Sequence, residues 1–504
     1  MGEHSPPEQR SALENARVQG KVYSGSAWMM ITRLSVKSLG LISSIVLARL
    51  LVPEDFGLVA IAVAIYAFIE LFGALGLGTV LIQRQSSDVA DYNTAWTFKV
   101  VFGFLAAACL VLSAPFVASF YDEPRLRAVI SVIALASVFS GASNIGVVNF
   151  QKDMNFRKEL QLQLVPKVFS FIFTLTVALV YRSYWALVLG TVFSQFLVMV
   201  YSYMMHSFRP KFGLQSFHKL FSFSRWLLLN NILYFINDRA SELLVGKMLS
   251  TSAVGLFSLS KEIAQLPTAE VAQPINKATF PVYSRFQDDF VELRKAYLST
   301  VALTSALTLP AALGIAFVAP LLVEVVLGAH WLPMVPLLQL LAISSLLVSI
   351  TVNNGFVYMA CGRPEVMFVM NASRTVLFFL LLFPLLDANG LLGIGQARLV
   401  TTVLMLVVVQ IVMIRFLTLP FFALLSSLAR PVVACSVMYG ALLLVQAYCG
   451  ELGKAATLAL MVVVGAATYI LVSLALWRLQ GCPEGLESTV IAMLFPRNFF
   501  TQPK

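Results

Sequence analysis

Ile45-Val46-Leu47-Ala48-Arg49-Leu50-Leu51 reappears 198 residues later, without a gap, as Leu243-Leu244-Val245-Gly246-Lys247-Met248-Leu249. The same offset relates Ser26-Ala27-Trp28 to Ser224-Arg225-Trp226 and Phe56-Gly57-Leu58 to Val254-Gly255-Leu256. The copies lie on apolar runs long enough to cross a bilayer, which takes about 20 residues at 1.5 Å rise against a core of about 30 Å. Six such runs separate the copies, so both face the same way. The repeats are therefore parallel, related by an axis along the membrane normal.

Apolar runs recur throughout the chain, and 59% of its 504 residues are hydrophobic against 12% charged. The mean hydropathy of +0.84 leaves no soluble fold that could hide so much apolar surface. The expected fold class is an all-α polytopic membrane protein of about 14 transmembrane helices, two six-helix lobes plus two C-terminal helices. Spans are expected near 25–48, 56–80, 96–118, 128–149, 165–181, 184–205, 226–248, 254–283, 297–318, 335–360, 365–386, 389–414, 431–448 and 455–477. The domain reading is a tail at 1–24, a first lobe at 25–205, a linker at 206–225, a second lobe at 226–414, a linker at 415–430, two helices at 431–477 and a tail at 478–504. Between 319 and 334, Pro320, Gly328, Pro333 and Pro336 predict a broken stretch at the interface.

The net charge of +10 is not a nucleic-acid signal, because Lys and Arg sit in short loops between apolar runs rather than on one face. With the N-terminus cytoplasmic, about 22 basic residues fall on that side, Arg374 counted among them, and 6 on the other. That asymmetry predicts both termini in the cytoplasm, as an even span count requires. Cys109, Cys361, Cys435, Cys449 and Cys482 are odd in number and scattered, which suits neither a disulfide framework nor a zinc site. The first 20 residues carry no apolar signal-peptide core, so the first span is expected to serve as its own insertion signal.

Charged residues inside a membrane normally face protein or a water-filled cavity, since each costs about 2.5–3.5 kcal/mol at the bilayer centre on insertion scales. Arg33, Lys37, Gly40 and Ser44 share one face of the first span. The 198-residue offset carries these positions to Asn231, Phe235, Asp238 and Glu242. Two polar stripes on equivalent helices are thus expected to look across a central cavity, one cationic and one acidic. Asp238 is expected to be held by a salt bridge, with Arg239 a candidate partner, and the deeper Glu242 to couple a proton or cation to resetting of the lobes. The eighth span holds Lys261, Glu262, Glu270, Gln273 and Lys277, with Pro267, Pro274 and Pro281 seven residues apart on nearly one face, so it should bend.

Catalytic and nucleotide motifs are missing. There is no GxxxxGK[ST] loop, HExxH or GxSxG elbow, and the four histidines make no ligand cluster. His330 beside Trp331 reads as an interfacial anchor. No metal, cofactor or enzymatic role is expected.

Several segments resemble one family in order and spacing. These are Leu51-Val52-Pro53-Glu54-Asp55-Phe56-Gly57, Gly76-Leu77-Gly78-Thr79-Val80-Leu81-Ile82-Gln83, Gln151-Lys152-Asp153-Met154-Asn155-Phe156, Phe280-Pro281 and Gly328-Ala329-His330-Trp331 followed by Pro336. Over about residues 20–420 the chain resembles the Wzx-type lipid-linked oligosaccharide flippases, in particular the colanic-acid-exporter-like branch of the multidrug/oligosaccharidyl-lipid/polysaccharide (MOP) superfamily. The resemblance implies an alternating-access carrier in a bacterial inner membrane. It would move undecaprenyl-pyrophosphate-linked repeat units to the periplasmic leaflet for exopolysaccharide, capsule or O-antigen synthesis. The implied partners are that lipid-linked oligosaccharide, membrane lipid, and a polysaccharide polymerase with export proteins; no nucleic acid is implied, and the carrier would work as a monomer. On this reading Arg33, Lys37, Lys261 and Lys277 receive the anionic substrate, and Asp238, Glu242 and Glu270 serve coupling. Export of about two negative charges from a negative-inside cell is favoured by about 4–5 kcal/mol per 100 mV, so no nucleotide is needed. The alternatives are an ion-coupled multidrug exporter of the same superfamily, which a basic first helix suits poorly, and a polysaccharide polymerase, which should carry a large periplasmic loop.

Overall fold

The computed structural model describes residues 35–73, 81, 88–153, 155–216, 232, 235–237, 239–448 and 453–480. Eleven helices among them are long and apolar enough to cross a membrane. We number the helices α1 (residues 35–50), α2 (Pro53–Gly73), α3 (Val89–Phe120), α4 (Arg125–Ala142), α5 (Phe156–Tyr181), α6 (Trp185–Met205) and α7 (Ala240–Met248). Next come α8, which runs from Thr251 to Arg285 in two α-helical segments, α9 (Phe290–Leu322) and α10 (Val335–Thr351). The remaining helices are α11 (Pro364–Asn389), α12 (Leu391–Leu417), α13 (Phe421–Tyr448) and α14 (Lys454–Leu479). The expected first span is seen as α1, the eighth as α8, and most of the seventh lies outside the described residues, as do the N-terminal tail and residues 481–504.

Local chemistry sets the helix starts. Asp88 and Asp91 form a capping box at α3, Asn155 accepts from the Lys158 amide at α5, and Asp289 accepts from the Val291 and Glu292 amides at α9. Each satisfies amides that a helix leaves without partners. These caps start α3 and α9 seven residues earlier than hydropathy alone predicts.

The expected break between 319 and 334 is shorter than proposed. The helix passes through Pro320, turns π over Val323–Leu327 and stops at Gly328, whose φ of 112° only glycine takes without strain. Pro320 lacks the amide that would bond Ala316, and Gln339 on α10 donates to that freed carbonyl at 3.1 Å. Trp331 is fully buried and belongs to the core, while the neighbouring His330 is exposed. Arg374, counted among the loop cations, lies ten residues inside α11.

The chain forms two compact units, Met1–Gly255 and Leu256–Lys504. Within the first, α3 and α4 are in intimate contact at Gly103 and Gly141. A Cβ there would come within 2.6 Å of the Ser137 carbonyl and 2.5 Å of the Lys99 carbonyl, respectively. Close backbone approach of this kind is how membrane helices gain packing when lipid supplies no hydrophobic drive. Within the second, Tyr283, Leu293, Tyr297, Val357, Tyr358, Met413 and Leu417 make the core, and α13 and α14 pack along α9 around Met438, Leu442 and Met461. In α8 the expected bend takes the form of a π turn at Thr268–Ala272, between Pro267 and Pro274, where a missing amide favours irregular bonding.

Candidate functional site

The polar face of α1 is open where Lys37 and Gly40 stand. Lys37 is exposed, and a Cβ on Gly40 would meet no atom within 4 Å. Further along the same helix Leu47 and Ala48 are buried, with Leu47 and Leu51 packed against Val177, Ala178 and Ala186 of α5 and α6. The face is therefore open at one end and sealed at the other. Arg33 lies outside the described residues.

Repeat-related residues make a second close contact in this unit. Gly57 of α2 and Gly255 of α8 lie so close that a Cβ on Gly57 would fall 1.7 Å from the Thr251 carbonyl oxygen and 2.9 Å from the Gly255 amide nitrogen. A Cβ on Gly255 would fall 1.9 Å from the Pro53 carbonyl oxygen and 3.0 Å from the Gly57 nitrogen. Pro53 and Thr251 are separated by the same 198 residues as Gly57 and Gly255. The crossing is thus reciprocal, each partner meeting its counterpart's equivalent. Gly246 of α7 fits beside it against Ile61, Tyr121 and Val254.

Polar contacts tie this end together. Lys247 donates to the Phe120 carbonyl at 2.6 Å and lies 3.6 Å from Asp122, while the Tyr121 hydroxyl donates to the Leu243 carbonyl at 3.1 Å. Arg125 bridges Glu54 of α2 and Glu123 of the α3–α4 turn. Its hydrogen bonds hold the Glu123 carboxyl below the usual carboxylate range.

Among the acidic candidates, Glu242 is almost wholly buried and its carboxylate is 3.1 Å from Arg239 Nη1. Arg239, the candidate partner for Asp238, thus also pairs with Glu242; Asp238 itself lies outside the described residues. In α8, Lys261 and Glu270 are half-buried and Lys277 is exposed. They belong to the second unit, whereas Lys37 and Glu242 belong to the first.

Three polar features were not singled out from sequence. In the first unit, Lys99 Nζ donates to Ser143 Oγ at 2.8 Å and is electrostatically coupled to Glu70, one of whose oxygens is buried without a hydrogen-bond partner. In the second, the buried Tyr297 hydroxyl donates to Asn354 Oδ1 at 2.9 Å and lies 3.3 Å from Gln410 Oε1, where α10 gives way to the short helix Asn354–Ala360. Arg374 is the third. Each was marked by a charge or amide inside an apolar run, a signal followed in the repeat helices and α8 only. Among the described residues no His, Cys, Asp or Glu group could hold a metal ion.

A family model described as "Polysaccharide biosynthesis protein" matches residues 46–336, more than half of the chain. The lipopolysaccharide biosynthesis protein WzxC of Escherichia coli K12 is 24% identical over 403 residues, covering 78% of this chain and 81% of that one. Among solved structures, the lipid II flippase MurJ in an inward closed conformation aligns with a TM-score of 0.72 at 14% identity, over 89% of this chain and 98% of that one. An inward-facing multidrug resistance MATE transporter of the MOP superfamily aligns with a TM-score of 0.55 at 16% identity, over 77% and 99%. The likeness to the two structures is one of fold, the polytopic all-α architecture that the internal repeat predicts. With more than half of its length matched by the family model, the chain belongs to the polysaccharide biosynthesis protein family.

Proposed function

We propose that this protein is an alternating-access flippase that carries undecaprenyl-pyrophosphate-linked oligosaccharide repeat units from the cytoplasmic to the periplasmic leaflet. It is a multi-pass membrane transporter, not an enzyme. The reading places it in a bacterial inner membrane with both termini in the cytoplasm, feeding a polysaccharide polymerase and working as a monomer.

The observation that carries the mechanism is the reciprocal crossing at Gly57 and Gly255. A carrier needs an element with two discrete arrangements, one open to each side. A crossing that relies on bare glycine backbone, flanked by ion pairs, can close tightly and part without unravelling a core. In the closed arrangement the cationic face of α1 is open at Lys37 and sealed at Ala48. A pyrophosphate headgroup would enter at the open end, drawn by Lys37 and, on the sequence reading, Arg33. Parting of the crossing would release it on the far side, with the membrane potential favouring outward movement of negative charge.

The test is deletion of the gene followed by analysis of lipid-linked intermediates. Build-up of one complete repeat unit, protected from periplasmic enzymes, is the expected outcome. A polymer of normal length and amount in the deletion strain, in the absence of a second flippase, would overturn the reading. A cationic-drug exporter is less well served, because Lys37 on the open face repels such a cargo.

A further inference from the structure

Arg374 lies about 15 Å of helix rise from the start of α11, well inside an apolar span. Its Nη2 donates to Asn371 Oδ1, one turn earlier on the same helix, at 3.2 Å. Among the described residues, no ion pair includes it.

Its direction is set by the helix. Val369, Val376, Leu380 and Phe383 are exposed along one face of α11. Arg374 is about 160° around the helix from Val376, at 100° per residue. It shares the opposite half with Thr375, Phe378 and Leu382, which are buried. It therefore does not snorkel outward through the lipid-facing stripe. Arg398 of the neighbouring α12 lies over Phe378, 5.6 Å from the ring centroid, so a second guanidinium stands one turn along the same face.

An arginine cannot shed its charge to escape a bilayer, and one amide oxygen answers only part of a five-donor fork. Other cations of this unit are better answered: Glu324 pairs with Lys454, and Arg294 donates to both the Leu417 carbonyl and the Thr418 hydroxyl. We propose that Arg374, with Arg398 beside it, is an oxyanion-binding site within the second unit. It takes either a phosphate of the lipid carrier or a carboxylate of an acidic sugar in the transported glycan. The inference deepens the flippase reading and rests on it for where the anion comes from, though not for the site itself. A planar fork suits the paired oxygens of both groups.

The test uses the full chain in nanodiscs, with wild type, Arg374→Gln and Arg374→Lys titrated with three probes: inorganic pyrophosphate, glucuronate and undecaprenyl pyrophosphate. Binding and ligand-free melting temperature are both read. The expected result is that Arg374→Gln weakens at least one probe tenfold or more while its ligand-free melting temperature stays level or rises, and that Arg374→Lys falls between. Loss confined to pyrophosphate and its lipid assigns the carrier phosphates; loss confined to glucuronate assigns an acidic sugar. Unchanged binding of all three probes, no binding by wild type, or a ligand-free melting temperature that falls in Arg374→Gln would overturn the site. Arg374-dependent binding of a soluble probe by a protein that neither binds nor flips the lipid would keep the site and remove the lipid-carrier reading.

Discussion

Gly57 and Gly255 occupy equivalent positions of the internal repeat and lie so close that a Cβ on Gly57 would fall 2.9 Å from the Gly255 nitrogen and one on Gly255 3.0 Å from the Gly57 nitrogen. Such symmetry means that one substitution type, made at either site, should have the same consequence. Gly57→Val and Gly255→Val each force a Cβ into a carbonyl oxygen, and overpacking of this kind costs about 1–3 kcal/mol or more. The strain is relieved if the helices part. On the flippase reading, in which this crossing and the buried end of α1 open together, both variants should expose Ala48, which is fully buried. With the five native cysteines replaced and Ala48→Cys introduced, labelling by an impermeant maleimide from outside should rise several-fold, and export should fall. Labelling no greater than in the glycine parent would remove the crossing from the gate.

The repeat was legible because the residues at a reciprocal crossing are constrained twice, once in each copy. The same logic fails for Glu70 and Lys99, which lie on α2 and α3 and interact inside one unit, with nothing in the second copy to flag them. Hydropathy found the spans but not their ends, since Asp88 and Asp289 cap α3 and α9 outside the apolar core of each run. It also read Pro320 as a break, whereas the carbonyl freed there is satisfied from another helix by Gln339, a tertiary fact no local pattern contains. The pairing of Arg239 with Glu242, one helical turn on, was not read from the sequence, where adjacency drew attention to Asp238 instead.

Topology follows from the loop charges. A reporter active only in the periplasm should work when fused after Arg125 or Lys454 and fail after Lys158 or Lys219. Arg125 and Lys158 lie at opposite ends of the α4 region, at the start of α4 and the start of α5. Activity after Lys158 would reverse the proposed direction of transport.

The cationic face of α1 should be needed for the substrate rather than for the fold. Replacing Arg33 and Lys37 together with Gln should lower export by about tenfold to a hundredfold, the worth of one or two charged hydrogen bonds, with normal protein in the membrane. Arg33→Lys should do less harm, because a mobile phosphate reads charge more than fork geometry. Normal export by the double variant would leave these residues as snorkelling anchors.

The Arg125–Glu123 contact should make stability depend on acid pH. Glu123 has its carboxyl lowered by hydrogen bonds from Arg125, so the folded state favours the ionised form. That contribution is fully present above the ordinary carboxylate value of about 4.5 and is lost as pH falls through the lowered folded value. Melting temperature between pH 7 and pH 3 should fall for the wild type. In Arg125→Gln it should start slightly lower, since a half-exposed pair contributes at most about 1 kcal/mol, and fall less. Equal pH profiles would show that the contact contributes nothing to stability.

Glu242 has a buried carboxylate beside Arg239, and two roles compete for it. As a purely structural pair, removing one partner breaks an ion pair, which costs about 3–5 kcal/mol for a fully buried pair and less here because Arg239 is partly exposed. As a coupling group, Glu242 would alternate between holding Arg239 and holding a proton or cation while the lobes reset. The roles separate in a double variant. Glu242→Gln alone should lower abundance under either role, and Glu242→Gln with Arg239→Gln should restore it by removing both charges. If Glu242 couples, the double variant should be abundant yet insensitive to an imposed proton or cation gradient when flipping is measured in proteoliposomes. If the pair is only structural, the double variant should flip with the gradient dependence of the wild type, and membrane potential acting on the substrate's own charge becomes the simpler driving force.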